Sequence, residues 1–202
     1  MSQALEALYA ERIVVVQREK SADVVRAKAR AIRDGGLSVQ EVTWTTPDAA
    51  ALVAELRKLK LGTIGAGTIL TAAEARKAHA AGAQFLVSPV FTKDVAAFAK
   101  SKKLPYLPGC ATAQEAYDAW KAGGRPIKLF PAPCLGGPEF VRRLLNPLPF
   151  LELLPTLVAV ADIPDYLRAG AKAVGIGAAL VPDAAAAEKL ARDAAAARDS
   201  VR

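Results

Sequence analysis

Histidine is almost missing from this 202-residue sequence: His79 is the only one. Its setting, "RKAHAAGA", reads as a helix surface. A Ser-His-Asp triad loses its central base on that reading, and a multi-histidine metal site loses its ligands. Cysteine is nearly as scarce. Cys110 and Cys134 are too isolated for a disulfide framework and too far apart in sequence for a zinc knuckle. No uninterrupted apolar run reaches the roughly 18 residues a membrane span needs. The opening stretch, "MSQALEALYAERI", carries acidic residues and lacks the basic-then-apolar order of a signal peptide. A cytoplasmic protein with no membrane partner is expected. Glycine is absent from "VVVQREKSAD", just past the first apolar run, which argues against a dinucleotide-binding turn there.

What the chain does have is positive charge, formally +7. The bases are scattered, at Arg26, Lys28, Arg30, Lys58, Lys60, Lys93, Lys100, Lys102, Lys103, Arg142 and Arg143. No basic stripe with interleaved aromatics emerges, so no nucleic-acid partner is expected and these residues read as solvated surface. A positive field also suits a small anionic substrate.

Apolar residues make up 52% of the chain, enough for a sizeable core. They fall in a regular beat. Short apolar runs begin near Ile13, Val39, Thr63, Phe85, Pro105, Ile127, Glu152 and Ala173, at intervals of 20 to 26 residues. Amphipathic, alanine-rich stretches lie between them. "TAAE" at 71–74 and "TAQE" at 112–115 fit capping boxes, and "DGG" at 34–36 and "AAG" at 80–82 fit glycine helix stops. Strand alternating with helix implies parallel pairing and right-handed crossovers. Eight such units predict one (β/α)8 barrel over 1–202, with an extra N-terminal helix and no second domain. An open doubly wound sheet is the alternative.

Chemistry in such barrels gathers at the C-terminal strand ends. The polar residues expected there are Arg18, Glu41, Thr43, Thr68, Ser88 and Lys128. Lys128 sits inside the apolar run "IKLF" and Glu41 inside "VQEVT". A charge buried alone is costly, and a buried pair only partly offsets the cost. A core ion pair is one reading. The other is a lysine nucleophile with a carboxylate acid/base: burial disfavours the charged form of an amine, and a neutral amine attacks a ketone to form a Schiff base.

The segments "EVTWTTPDA", "GAGTIL", "AQFLVSP", "YLPGCAT", "IKLFPA", "GGPEFV" and "AKAVGIGAALV" occur in this order. The chain resembles, from about Ile13 to Val181, the 2-keto-3-deoxy-6-phosphogluconate (KDPG) aldolases and their 4-hydroxy-2-oxoglutarate and phosphogalactonate relatives. The resemblance implies a trimeric class I aldolase that acts on a small keto acid, needs no cofactor and holds no metal. By the same resemblance Lys128 matches the Schiff-base lysine and Glu41 the acid/base. Arg18 and Thr68 match positions that hold the acidic or pyruvyl part of the substrate. Pro89 and Phe130 match pocket-lining residues. Thr156, Gly177 and Ala178 fall in the turns that meet the far end of the substrate.

The chain departs from the family pattern in places. Leu157 and Val158 stand where PTGG is usual, Ala178 where a serine is frequent, and Thr45 where some members carry arginine. Phosphate recognition is therefore expected to be impaired, with the backbone at the last helix start left to bind an anion. The apolar run at 144–163 motivates a competing function: an engineered or diverged barrel scaffold that self-assembles or binds through that surface.

Overall fold

The computed structural model describes residues 2–201. Helix α1 (Gln3–Glu11) comes first, followed by β1 (Ile13–Gln17), α2 (Ala22–Asp34), β2 (Val39–Thr43), α3 (Ala49–Lys58), β3 (Thr63–Gly67) and α4 (Ala72–Ala80). The chain continues through β4 (Leu86–Val87), α5 (Lys93–Ser101), β5 (Tyr106–Leu107), β6 (Gly109–Cys110), α6 (Ala113–Lys121) and β7 (Ile127–Leu129). It ends with α7 (Gly137–Leu145), β8 (Leu153–Pro155), α8 (Ile163–Arg168), β9 (Val174–Gly177) and α9 (Ala184–Asp199). This is an α/β fold with a curled parallel sheet.

Every expected apolar run begins within one residue of a strand. Both capping boxes form: Thr71 and Thr112 each accept from the backbone N–H three residues on, and Glu74 and Glu115 each accept from the cap N–H. Gly36 and Gly82 take left-handed φ values of 91° and 90° just past α2 and α4, a conformation glycine adopts without penalty.

The hydrogen-bonding differs in detail from an unbroken ring of eight strands. Six strands pair in the order β5-β4-β3-β2-β1-β9 and three in the order β6-β7-β8. The expected fifth strand is divided at Pro108, which has no N–H to give. Its carbonyl still accepts from Lys128 N–H at 2.9 Å. Between β8 and β9 the contact narrows to one parallel bridge, Thr156–Gly175, flanked by Lys172 N–H to Leu153 O and Val158 N–H to Gly175 O.

Alternation along the strands separates two apolar layers. Val14, Val39, Phe85, Val87, Leu107, Leu154 and Ala173 share one cluster on the concave side, joined by Ala4 and Leu8 of α1. The opposite strand faces pack against the surrounding helices. Helix α1 is fastened by Glu11, whose carboxylate accepts from Ser38 N–H, Ser38 Oγ and Val39 N–H at 2.6–2.8 Å. Tyr9 donates to Glu152, and burial together with that carboxylate pushes its phenol well above the usual range. Among the described residues, no helix is long and apolar enough to cross a membrane.

The two cysteines are free, Cys110 buried and Cys134 exposed. Burial, with a smaller contribution from the Glu115 charge, pushes the Cys110 thiol up to about 12. A thiol-disulfide reagent at pH 8 is therefore expected to modify Cys134 rapidly and Cys110 far more slowly, since the thiolate is the reacting form. Two equally fast thiols would show that the end of β6 is open.

Candidate active site

Side chains on β2 alternate: Gln40 donates outward to Ala29 O and Leu61 O, so Glu41 projects to the concave side. Space for it comes from the neighbouring strand. A Cβ at Gly67 would lie 1.7 Å from Glu41 Oε1, and one at Gly65 would lie 2.3 Å from the Phe85 ring. Glycine at 65 and 67 thus leaves the room that a carboxylate and a phenyl ring occupy.

Lys128 enters from the far side, on β7, paired with Gly109 and Leu154. Lys128 is 5% exposed and Glu41 2%. Their charged ends stand 4.0 Å apart. That is an ion pair by distance but too long for a hydrogen bond. Glu41 Oε1 is buried with no hydrogen-bond partner among the described residues. Lys128 Nζ lies 5.2 Å from the centre of the Phe130 ring. Phe130 and Pro89 line a cavity of about 880 Å³ whose walls also include Cys110 and, from α5 and α6, Lys93, Glu115 and Lys121; Lys128 and Glu41 are not among the residues that line it.

A second group forms at the ends of β1 to β3. Arg18 donates to Thr45 Oγ1 at 2.7 Å and to Thr68 Oγ1 at 3.0 Å. Thr68 has φ 58°, rare for a β-branched residue and a form of strain that gathers at functional sites. Thr68 directly follows Gly67, which abuts the Glu41 carboxylate, so the two groups are neighbours along β3.

The third group, after β8 and β9, is looser. Thr156 is buried and donates to Leu154 O at 3.3 Å. Gly177 pairs with Val16. Ala178 is buried and opens a three-residue 3-10 turn, not a full helix. The expected helix start for anion binding is corrected on this point: α9 begins only at Ala184. The two residues after Thr156 divide. Leu157 is 47% exposed with φ 71°, whereas Val158 is 5% exposed and spends its N–H on Gly175 O. In the apolar run at 144–163, Leu144, Leu151, Leu153, Leu154, Val158 and Ile163 are buried, and Phe150 and Leu157 are its large exposed hydrophobic side chains.

One expectation about charge is overturned. Lys28 is no surface base: it is 1% exposed. Its Nζ donates to Glu19 Oε1 at 2.7 Å, Ala178 O at 3.1 Å and Val181 O at 2.7 Å. The signal was in the helix spacing, because Lys28 shares the apolar stripe of α2 with Val25 and Ile32. Among the described residues, no group of three or more His, Cys, Asp or Glu side chains is placed to hold a metal ion.

The family described as KDPG and KHG aldolase matches residues 5–195. The 2-dehydro-3-deoxy-phosphogluconate aldolase of Treponema pallidum is 40% identical over 153 residues, which is 75% of this chain and 72% of that protein. The crystal structure of the 2-keto-3-deoxy-6-phosphogluconate aldolase of Zymomonas mobilis superposes with a TM-score of 0.89 at 28% identity over the full length of both chains. The KDPG aldolase of Legionella pneumophila, solved with pyruvate captured at low pH as a covalent carbinolamine intermediate, gives a TM-score of 0.79 at 25% identity, covering 99% of this chain and 98% of that one. With a buried lysine facing a carboxylate inside a parallel sheet, and with a family match over nearly its whole length, the chain belongs to the KDPG and KHG aldolase family.

Proposed function

We propose that this protein is a class I aldolase that cleaves a 2-keto-3-deoxy sugar acid or 4-hydroxy-2-oxoglutarate to pyruvate and an aldehyde. The observation that carries this is the buried pair itself: an amine and a carboxylate 4.0 Å apart and free of hydrogen bonds to each other. The neutral Lys128 amine adds to the C2 ketone to give a carbinolamine. Glu41 gives its proton to the carbinolamine hydroxyl, water leaves, and the protonated imine forms beside a Glu41 carboxylate. Glu41 takes the proton of the C4 hydroxyl, the C3–C4 bond breaks and the aldehyde leaves. The electron pair of that bond enters the imine and forms an enamine. Glu41 then returns the proton to C3, and water releases pyruvate and the free amine. Arg18, seated on Thr45 and Thr68, supplies the positive charge for the substrate carboxylate. Pro89 and Phe130 wall the pocket, and Thr156, Gly177 and Ala178 face the remote end of the substrate.

The sheet is read as one closed (β/α)8 barrel over 1–202, with α1 across its N-terminal end. Hydrogen bonds across Pro108 and across the Thr156–Gly175 bridge support closure; Met1 and Arg202 lie outside the described residues. The proposed assembly is a homotrimer. The idea of a larger one through 144–163 now rests on Phe150 and Leu157 alone. The proposed compartment is the cytoplasm, in keeping with two free cysteines.

Borohydride reduction in the presence of pyruvate is expected to add the corresponding mass to Lys128. Lys128→Ala should lose both adduct and turnover, and an adduct on another lysine would defeat the reading. Glu41→Gln should still trap pyruvate while turnover falls by about 10²–10⁴-fold, the usual contribution of a general acid–base group. An unchanged rate would leave Glu41 a structural partner only.

Phosphate recognition should be weak, because the Val158 N–H is spent internally and Leu157 puts a side chain where the family backbone approaches an anion. We expect kcat/KM for phosphorylated and unphosphorylated substrates to differ by less than about tenfold, or under about 1.4 kcal/mol. Leu157→Gly should shift the ratio toward the phosphorylated substrate and remove a left-handed penalty of about 1–2 kcal/mol. The equivalent change at buried Val158 would instead open a cavity. A preference of about a hundredfold in the unaltered protein would show that the phosphate site is intact.

A further inference from the structure

Lys28 belongs to no step of the proposed reaction, yet it is among the most thoroughly buried charges in the protein. Several kcal/mol of desolvation oppose such a site unless each proton of the ammonium finds an acceptor. Lys28 has three donors and three acceptors at hydrogen-bond distance. Two acceptors, the carbonyls of Ala178 and Val181, belong to the turn that follows β9. The third, Glu19, is the residue after Arg18.

The network continues inward from there. Glu19 N–H donates to Thr46 Oγ1 at 3.4 Å. Thr46 Oγ1 lies 3.3 Å from Thr43 Oγ1, which lies 3.1 Å from Thr45 Oγ1. Thr45 Oγ1 accepts from Arg18 Nη1, and Arg18 Nη2 reaches Thr68. One hydrogen-bonded path thus joins the turn at Ala178 to the guanidinium at Arg18, with Lys28 at its outer anchor.

We propose that Lys28 is a positioning residue for substrate binding. From α2, outside the sheet, it clamps the β1–α2 connection onto the β9 turn, and so holds Arg18 against Thr45 and Thr68 in the orientation that meets a keto-acid carboxylate. The assignment of Arg18 to the carboxylate rests on the function proposed above. An ammonium serves the clamp because one small charge satisfies acceptors from two separate segments at once.

The test uses borohydride trapping of pyruvate, read as the pyruvate concentration giving half-maximal adduct on Lys128. Lys28→Met is expected to raise that concentration about tenfold, within the range for coupled contacts, with the same adduct at saturation. In an Arg18→Ala background the same substitution should add less than about twofold, because it acts through Arg18. A purely structural lysine would act equally in both backgrounds, and that result would overturn the proposal. Should Lys28→Met fail to fold, Glu19→Gln removes the counter-charge and keeps an acceptor oxygen. It should raise half-saturation about threefold in the unaltered background only, and an unchanged value would overturn the proposal equally. If the unaltered protein forms no adduct on Lys128, the aldolase reading itself fails and the positioning role falls with it. An adduct with an unmoved half-saturation removes the positioning role alone.

Discussion

The cost of a buried, incompletely satisfied charge pair governs this structure. Lys128 and Glu41 have left water, and neither repays the loss with a hydrogen bond to the other. A fold meant only to be stable gains by replacing such a pair with apolar side chains. Much of the local design instead makes room for it. Glycines at 65 and 67 thin β3 where the carboxylate and Phe85 must pass. Glycine weakens a strand interior, so this is a second cost accepted at the same place. Thr68, in a left-handed conformation one residue further on, is a third. Stability must come from elsewhere, and the two apolar layers on either side of the sheet supply it.

Those layers are also what made the fold legible in the sequence. A strand buried on both faces is a short apolar run, and the helix between two such runs sets their spacing. Capping boxes at Thr71 and Thr112 are local chemistry, readable without tertiary context. Lys128 and Glu41 stood out because a charge inside an apolar run violates the pattern around it. The same logic failed at Lys28, where the surroundings are an amphipathic helix rich in arginine. A lysine there looks ordinary unless its place on the Val25–Ile32 stripe is counted. The network from Glu19 to Thr46 was also out of reach, because it depends on how three strand ends are juxtaposed. Pro108 shows a finer limit. Its missing N–H breaks the strand assignment, while its carbonyl keeps the pairing with β7.

Position 157 separates what a side chain specifies from what a backbone specifies. Leucine disfavours φ 71°, yet the chain adopts that angle there. The turn is held by its surroundings: Thr156 N–H donates to Leu129 O, Thr156 O accepts from Ala132 N–H, and Val158 N–H donates to Gly175 O. Three hydrogen bonds to flanking segments outweigh a penalty of about 1–2 kcal/mol for one residue. The turn therefore keeps this geometry without the glycine that would suit it, and Leu157 answers by pointing its side chain toward solvent.

Two buried lysines in one chain show how hydrogen bonding divides labour. Lys28 Nζ has three acceptors between 2.7 and 3.1 Å. Lys128 Nζ has one carboxylate oxygen at 4.0 Å and an aromatic face at 5.2 Å. An ammonium with every proton engaged is held in place by acceptors from two separate segments. The nitrogen without such acceptors is the one that attacks the carbonyl carbon in the proposed reaction. Equal burial thus yields opposite chemistry. What distinguishes a clamp from a nucleophile is the number of acceptors arranged around the nitrogen.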